Sequence, residues 1–415
     1  MDRGRITYIL GFLPTYVLRE VLELASRGYR VDVFLPDSEE ISEFWMDIIS
    51  SEEMLDSVSV HRIVPVRLYS CSPGPLVSFF MSECVPVLIR HPLRFLRLAA
   101  EALRTRSFRF FLAGAGVARR MSPDTLIVHS HFARTVAFSG MWAAGLLGLP
   151  FTVTTHAVDI FVPRREDLVD RLLRRAEGVM TISWFNRSYM AGRYGEELLE
   201  KARVTHLGLD CESLPERSPV LDGPPLVVCT ASGLVEKKGV SVLIEACAVL
   251  KDMGIDFRCL VIGADRPGAL LEKYRRMVRE KGLDDRVEFT GAMRAGSVLS
   301  TVAGADLFVL PSVKALNGDM DGIPVSLMES MSIGVPSIST WISGIPELVE
   351  DGVSGLLVQP GDPAGLAEAM ARLLSDRELA SGLGEAGRRK VREDFSVSGY
   401  VSSLLDCWSG LLHGN

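Results

Sequence analysis

A chain of 415 residues, 47% hydrophobic and 23% charged, is long enough for two or three domains with large apolar cores. Its formal net charge of −7 argues against general affinity for nucleic acid. Its seven cysteines form no Cys-x-x-Cys pair and several sit in apolar runs such as VVCT and FRCLVIG, which fits reduced, packed thiols in a cytoplasmic protein and not a disulfide or zinc framework.

The N-terminal MDRGRITYILGF moves directly into a strand-like run, with no signal-peptide cleavage pattern. Apolar runs at 6–11, 30–35, 125–131, 151–155, 178–183 and 203–207 alternate with helix-like stretches at 15–27, 134–148, 167–176 and 184–194. This alternation predicts an α/β domain with a parallel sheet covered on both faces. No stretch spans a membrane: 76–89 is short and carries Glu83 and Pro86, and 136–150 is short and interrupted by glycine.

Residues 79–120 (Phe79 to Arg120) interleave apolar side chains with Arg90, His91, Arg94, Arg97, Arg104, Arg106, Arg109, Arg119 and Arg120. In an acidic chain this clustering reads as a basic amphipathic helix pair suited to an anionic membrane surface. The alternative is a helical hairpin packed on the first domain with a solvated arginine face. In VHSHFAR, His129 and His131 are two apart and share one strand face. Two imidazoles need at least a third ligand to hold a metal, and no Cys or acidic residue lies close by in sequence, so no metal is expected. In FTVTTHAVDIF a strand ends in His156, with Asp159 three residues on.

Proline and acidic residues cluster at 211–225, a linker between a first domain at 1–210 and a second at 226–394. The strand pattern restarts at 226–230, 257–263, 287–290, 307–310, 335–340 and 355–358. In SGLVEKKGV, Lys238 lies at a helix start after a glycine-containing loop, a good place to meet phosphate charge; a solvated lysine is the plain alternative. In DGIPVSLME, Asp321 and Glu329 flank a Gly-Ile-Pro turn and the start of a helix. The first amides of a helix lack partners within it and suit an anion. Carboxylates near an anion are better used as acceptors for hydroxyls, which a sugar or ribose supplies. The motif suggests a nucleotide-sugar pocket. The last stretch, 395–415, opens as an amphipathic helix through Val397, Tyr400, Val401, Leu404, Leu405 and Trp408.

Residues 307–358 resemble the donor-binding signature of retaining GT-B glycosyltransferases of family four (glycosyl transferases group 1), whose form is EGxPxxxxEAMAxGxPVVxT followed by GGIPExVxxGxxGxLV. Here Asp321 stands for the first Glu, followed by Gly322, Pro324, Glu329, Met331, Gly334, Pro336 and Thr340, then Gly344, Ile345, Pro346, Glu347, Gly352 and Gly355. SGLVEKKGV resembles the family's GRLxxxKG loop, with Gly233 where the family has an Arg; Arg294 is a candidate replacement cation. FTVTTHAVDIF resembles its FTxHAxDIF segment, and VHSHFAR the HAHFA element of exopolysaccharide and colanic-acid-type transferases. The loop before the first helix, Leu13-Pro14-Thr15-Tyr16, departs from the family's acidic or glycine pair.

The resemblance implies two Rossmann-like parallel-sheet domains facing across a cleft, with the last helix crossing back onto the first. It implies a metal-independent, cofactor-free hexosyltransferase of polysaccharide biosynthesis, acting with retention. The donor would be a nucleotide-diphosphate sugar and the acceptor a glycan or a polyprenyl-linked sugar, on the inner face of the cell membrane. His156, Lys238 and Asp321 would be catalytic. Gly233, Lys238, Gly291, Asp321, Gly322, Ile323, Val325 and Glu329 would bind the donor, with Glu329 on the ribose. Thr15, His131 and Asp159 would lie on the acceptor side, Asp159 either orienting a neighbour or touching acceptor. The departures at Gly233, Asp321 and Leu13–Tyr16 also fit a non-catalytic sugar-nucleotide-binding partner in a glycan-assembly complex.

Overall fold

The computed structural model describes residues 3–36, 57–63, 77–218, 223–264 and 270–412. Cys71 and positions 219–222 of the expected linker lie outside the described residues. The chain forms two compact units. One comprises Met1–Ile182, Arg187–Gly208 and Val397–Asn415, the other Ser183–Asn186 and Leu209–Ser396.

The first unit holds a parallel sheet of β1 (Arg5–Ile9), β2 (Arg30–Pro36), β3 (Val58–Ile63), β4 (Thr125–His131), β5 (Phe151–Thr155), β6 (Gly178–Thr181) and β7 (Ala202–Val204). The strand order is β3-β2-β1-β4-β5-β6-β7, so the order reverses between β1 and β4. In open α/β sheets ligands collect beyond the carboxyl ends of strands at such a reversal. β4 ends in His131, and His156 follows β5 directly. The strand at 58–63 is absent from the sequence reading. It is an edge strand, and its VSVHRI pattern buries only its two ends.

The first unit's core gathers Ile6, Tyr8, Val31, Val33 and Ile127 from the sheet with Val17, Leu18, Val21 and Leu24 from helix Thr15–Ser26. These helix positions recur at three- and four-residue spacing, one apolar stripe. Tyr400, Val401, Leu404 and Trp408 of the final helix, Val397–Leu412, join the same core. Arg27, just past the first helix, bonds Ser402 Oγ (2.9 Å) and Ser398 O (2.7 Å) of the last. Residues 114–119, GAGVAR, a glycine-containing run without the third glycine of a dinucleotide fingerprint, lie inside helix Phe108–Arg120, where a side chain at Gly114 would lie 2.7 Å from Ser139 O and 2.8 Å from Trp142 Cβ. The run's small residues let two helices meet closely; they do not make a nucleotide loop.

The second unit repeats the plan with β8 (Leu226–Gly233), β9 (Arg258–Ala264), β10 (Val287–Gly291), β11 (Leu307–Val309), β12 (Ser337–Thr340) and β13 (Leu356–Val358), all parallel. The order β10-β9-β8-β11-β12-β13 reverses between β8 and β11. The segments that follow those two strands carry Lys238 and Asp321. Cys84, Cys211, Cys229, Cys247, Cys259 and Cys407 are free thiols.

Candidate functional site

In the second unit, β8 runs into a short 3₁₀ turn, Glu236–Lys238, that ends at Gly239 with φ 65°. A Cβ at Gly239 would overlap the carbonyl oxygen of Pro311, just past β11. Only glycine allows this approach, both for the left-handed backbone and for the contact. The turn is fastened further by Val313 N–H, which donates to Lys237 O at 2.9 Å.

That docking brings two lysines onto the loop before helix Val325–Ile333. Lys238 Nζ lies 2.9 Å from Asp321 Oδ2, and Ser312 Oγ donates to the same oxygen at 3.0 Å. Lys237 Nζ lies 3.1 Å from Asp319 and 3.6 Å from Asp321 Oδ1. Burial alone would raise the Asp321 pKa, but Lys238, Lys237 and the hydrogen bonds together hold it below the ordinary value. The carboxylate is therefore ionised and neutralised by its neighbours. Asp319 and Asp321, which spell DMD with Met320 between them, both serve the lysines. Lys237 was missed in the sequence because a single Lys position matched the motif. Arg294, the expected substitute cation, is exposed just before helix Ala295–Ala303 and makes no ion pair among the described residues.

Gly322 and Ile323 are buried in the loop that follows Asp321, and Val325 opens the helix after Pro324, whose carbonyl accepts from Leu327 and Met328 N–H. Glu329 is half-buried in the second turn of this helix and makes no hydrogen bond or ion pair among the described residues. Burial pushes its carboxyl up to about 7. Gly233 ends β8 opposite Ala264, and Gly291 ends β10 with φ 73°.

In the first unit, Asp159 is fully enclosed. It accepts from the backbone N–H of Ala133 (2.9 Å), His156 (3.1 Å) and Ala157 (2.9 Å). This ties the loop after β4 to the loop after β5, the orienting task that was one of its two expectations. Burial raises its pKa against the lowering effect of these amides. His156 stacks on Phe132 with centroids 4.1 Å apart and lies 5.5 Å from Tyr16. Its Nε2 is 2.9 Å from Nδ1 of His131. Burial, then the neighbouring His131, holds His156 well below the usual imidazole range, so it is neutral. Thr15 is exposed at the start of its helix.

His131 ends β4. Its side chain is wholly enclosed behind His156, with Nε2 2.9 Å from Glu20 Oε2. No acidic residue is close to the two histidines in sequence, but helix Thr15–Ser26 brings Glu20 against them in space. Ligand atoms of Glu20, His129 and His131 lie within 4.8 Å of one another. The donor set is nonetheless taken. Thr152 and Thr154 hydroxyls hold the two His129 nitrogens at 2.8 and 3.2 Å, and Tyr8 and Tyr400 hydroxyls donate to the two Glu20 oxygens. These residues make one polar network, in which hydroxyls already occupy a site on each Glu20 oxygen and on both His129 nitrogens.

Two outcomes test this geometry. Gly239→Ala should destabilise the protein by at least about 1–3 kcal/mol, the usual scale for backbone strain, and abolish stabilisation by nucleotide. Chemical denaturation and thermal shift check this; a wild-type melt with intact ligand response would contradict the docking of the turn. The second outcome follows from Glu329. The folded carboxyl keeps its proton up to about pH 7, whereas an unfolded one loses it near about 4.3. Stability must therefore fall as pH rises through that window and stay lower above it. Ligand-free Glu329→Gln should melt like wild type at about pH 4.5 and above it at about pH 8. A difference that does not change with pH would mean the carboxyl titrates normally.

The chain matches the family model of Glycosyltransferase Family 4 over residues 13–213 and that of Glycosyl transferases group 1 over residues 215–390. It is 30% identical over 412 residues to a protein of Salmonella typhimurium named for colanic acid biosynthesis as glycosyltransferase WcaL, covering 94% of this chain and 96% of that one. It is 34% identical over 410 residues to the amylovoran biosynthesis glycosyltransferase AmsK of Erwinia amylovora, covering 92% of each. The fold is similar to that of Anabaena HepE in complex with UDP-glucose, with a TM-score of 0.69 at 17% identity over 98% of this chain and all of that one. With its two parallel-sheet units and relatives of this identity along nearly its whole length, the chain belongs to the glycosyl transferases group 1, family four, and is a glycosyltransferase of GT-B fold.

Proposed function

We propose that the enzyme moves a hexosyl group from a nucleotide-diphosphate sugar to a hydroxyl of a growing exopolysaccharide glycan, on a lipid-linked acceptor, with retention. The observation that carries this reading is the pair of lysines fastened beside Asp321 at the strand-order reversal, next to a helix carrying Glu329, whose carboxyl has no ion pair among the described residues. The names of the exopolysaccharide relatives support the product class.

The chemistry follows from charge. Breaking the bond between sugar and diphosphate leaves negative charge on the diphosphate. Lys238, Lys237 and the amides at the helix start from Gly322 onward would stabilise that charge as it develops. Asp321 would accept from a donor-sugar hydroxyl when the diphosphate shares Lys238. Glu329 would accept from the ribose hydroxyls, and His156, by the family resemblance, would contact a hydroxyl of the donor sugar. No carboxylate stands out as a nucleophile, so attack on the face of departure through an ion-pair-like state is the proposed route. Detection of an inverted anomer in the product would reject it. Thermal-shift screening against UDP-, GDP- and ADP-sugars would identify the donor, because stabilisation grows with occupancy.

Lys238→Ala should slow transfer far more than it weakens nucleoside binding. Glu329→Ala should weaken nucleoside binding itself, since ribose contacts exist in ground and transition states alike. Each lost charged hydrogen bond should cost about 1.5–3 kcal/mol, roughly tenfold to a hundredfold. Calorimetry with the nucleoside and product formation with the sugar donor separate the two. Wild-type behaviour of both folded variants would move the donor site elsewhere.

We propose further that the segment from Val77 to Arg109 rests on anionic lipid. No helix among the described residues is long and apolar enough to cross a membrane. Helix Pro92–Arg104 buries Phe95, Leu98 and Ala102 yet leaves Leu93 83% exposed, with Leu96 and Leu103 at 60%. Val77, Met81 and Ile89 are exposed nearby, as are Arg90, Arg97, Arg104, Arg106 and Arg109. Arg119 and Arg120, by contrast, are engaged by Glu83. Leucines standing in water among arginines suit apolar insertion below phosphate headgroups. The double variant Leu93→Asp, Leu96→Asp should lose co-flotation with vesicles containing phosphatidylglycerol while keeping its melting temperature. Equal flotation of the variant would end this reading.

A further inference from the structure

Three rings run outward from the carboxyl edge of the first sheet. His156 stacks on Phe132 with centroids 4.1 Å apart and planes 25° apart, and Phe132 stacks on Phe12 at 5.0 Å and 30°. Exposure grows along the row: His156 is 4% exposed, Phe132 half-buried and Phe12 37% exposed. The rings come from the segments that follow β5, β4 and β1. The strand order reverses between β1 and β4, the place where open α/β sheets take ligands.

The row is held against backbone strain. Phe132 has φ 65°, a left-handed conformation that bulky side chains avoid and glycine adopts freely. Its N–H donates to Thr154 O at 2.8 Å, and its carbonyl accepts from Arg134 N–H at 2.7 Å, so the turn is pinned on both sides. A phenylalanine in a glycine conformation points to a task for the ring. Phe132 backs Phe12, and Phe12 still meets solvent. Thr15, exposed three residues on, sets a hydroxyl at the start of the next helix. A flat apolar face with a few polar groups beside it is the usual makeup of a small-molecule site.

We propose that Phe12, backed by Phe132, is the stacking platform for the acceptor's receiving sugar ring. An aromatic face carries the negative part of the ring quadrupole. The C–H bonds beside sugar oxygens carry partial positive charge, so the apolar face of a pyranose lies favourably on it. This rests on the reading that the first unit takes the acceptor. With His156 read beside the donor sugar, Phe12 stands one ring further out, where the receiving sugar belongs.

The test uses the full chain and saturation-transfer NMR, with methyl glycosides of glucose, galactose and mannose as probes. Saturation of the protein's aromatic protons should pass to C–H protons on one face of at least one glycoside. Phe12→Ala should weaken that binding about fivefold to a hundredfold, the usual scale for a ring stacked on an aromatic side chain, with the melting temperature kept. Phe12→Trp should retain it and Phe12→Leu should not, a difference that apolar area alone does not produce. Transfer to none of the glycosides, or transfer unchanged in Phe12→Ala, overturns the proposal. So does Phe12-dependent contact with geranyl phosphate or UMP in place of the glycosides, which makes the platform a seat for an isoprenoid chain or a base. Glu329→Ala keeps the two readings apart. It should lose nucleoside affinity and keep the glycoside contact. Unchanged nucleoside affinity beside a contact that still depends on Phe12 fails the donor reading alone. A glycoside contact abolished by Glu329→Ala puts the sugar in the second unit and overturns this proposal.

Discussion

A carboxylate taken out of water must be surrounded by donors or lose its charge. That requirement organises each functional loop of this enzyme. Asp159 gathers backbone amides from two loops and so fixes where His156 stands. Asp321 gathers Ser312 and two lysines and so fixes where the cations stand. Glu20 gathers two phenols and an imidazole, one phenol from the last helix of the chain. Glu329 is the exception among them. With no hydrogen bond or ion pair to its side chain among the described residues, burial raises its carboxyl to about 7, the behaviour expected of an acceptor whose partners belong to a ligand.

Most of the fold was legible because parallel strands covered on both faces read as unbroken apolar runs. The runs at 125–131 and 151–155 coincide with β4 and β5. β3 escaped because an edge strand need not be apolar throughout, and VSVHRI exposes its middle. The spelling of the proposed donor site was legible for a physical reason. A glycine that must touch Pro311 and a lysine beside it leave little freedom of sequence. The partner of His131 was not legible, because nearness in sequence is a poor guide to nearness across a sheet. Glu20 sits one helix after β1, and β1 pairs with β4, so the register carries the carboxylate to the histidines. Counting only local acids missed it. Lys237 escaped for the opposite reason: it stood next to a residue that already filled the motif.

In the proposed donor site, Gly233 supplies no cation where the resembled loop has an arginine, so the charge balance there turns on the two lysines. The lysines beside Asp321 are matched by Asp319 and Asp321, so the cluster of four side chains carries no net charge. In the proposed reaction an incoming diphosphate would meet no surplus cation among these four side chains; it would have to draw Lys238 or Lys237 partly away from a carboxylate. Lysine suits that exchange better than arginine, since its ammonium is a single mobile point charge and not a planar fork locked to one partner. In the proposed reaction, the approach of diphosphate to Lys238 also loosens Asp321, the carboxylate meant for a sugar hydroxyl. Phosphate and sugar recognition would then be coupled through one ion pair. A nucleotide without its sugar would leave Asp321 buried and short of a donor, so the pair favours the complete donor over its fragment.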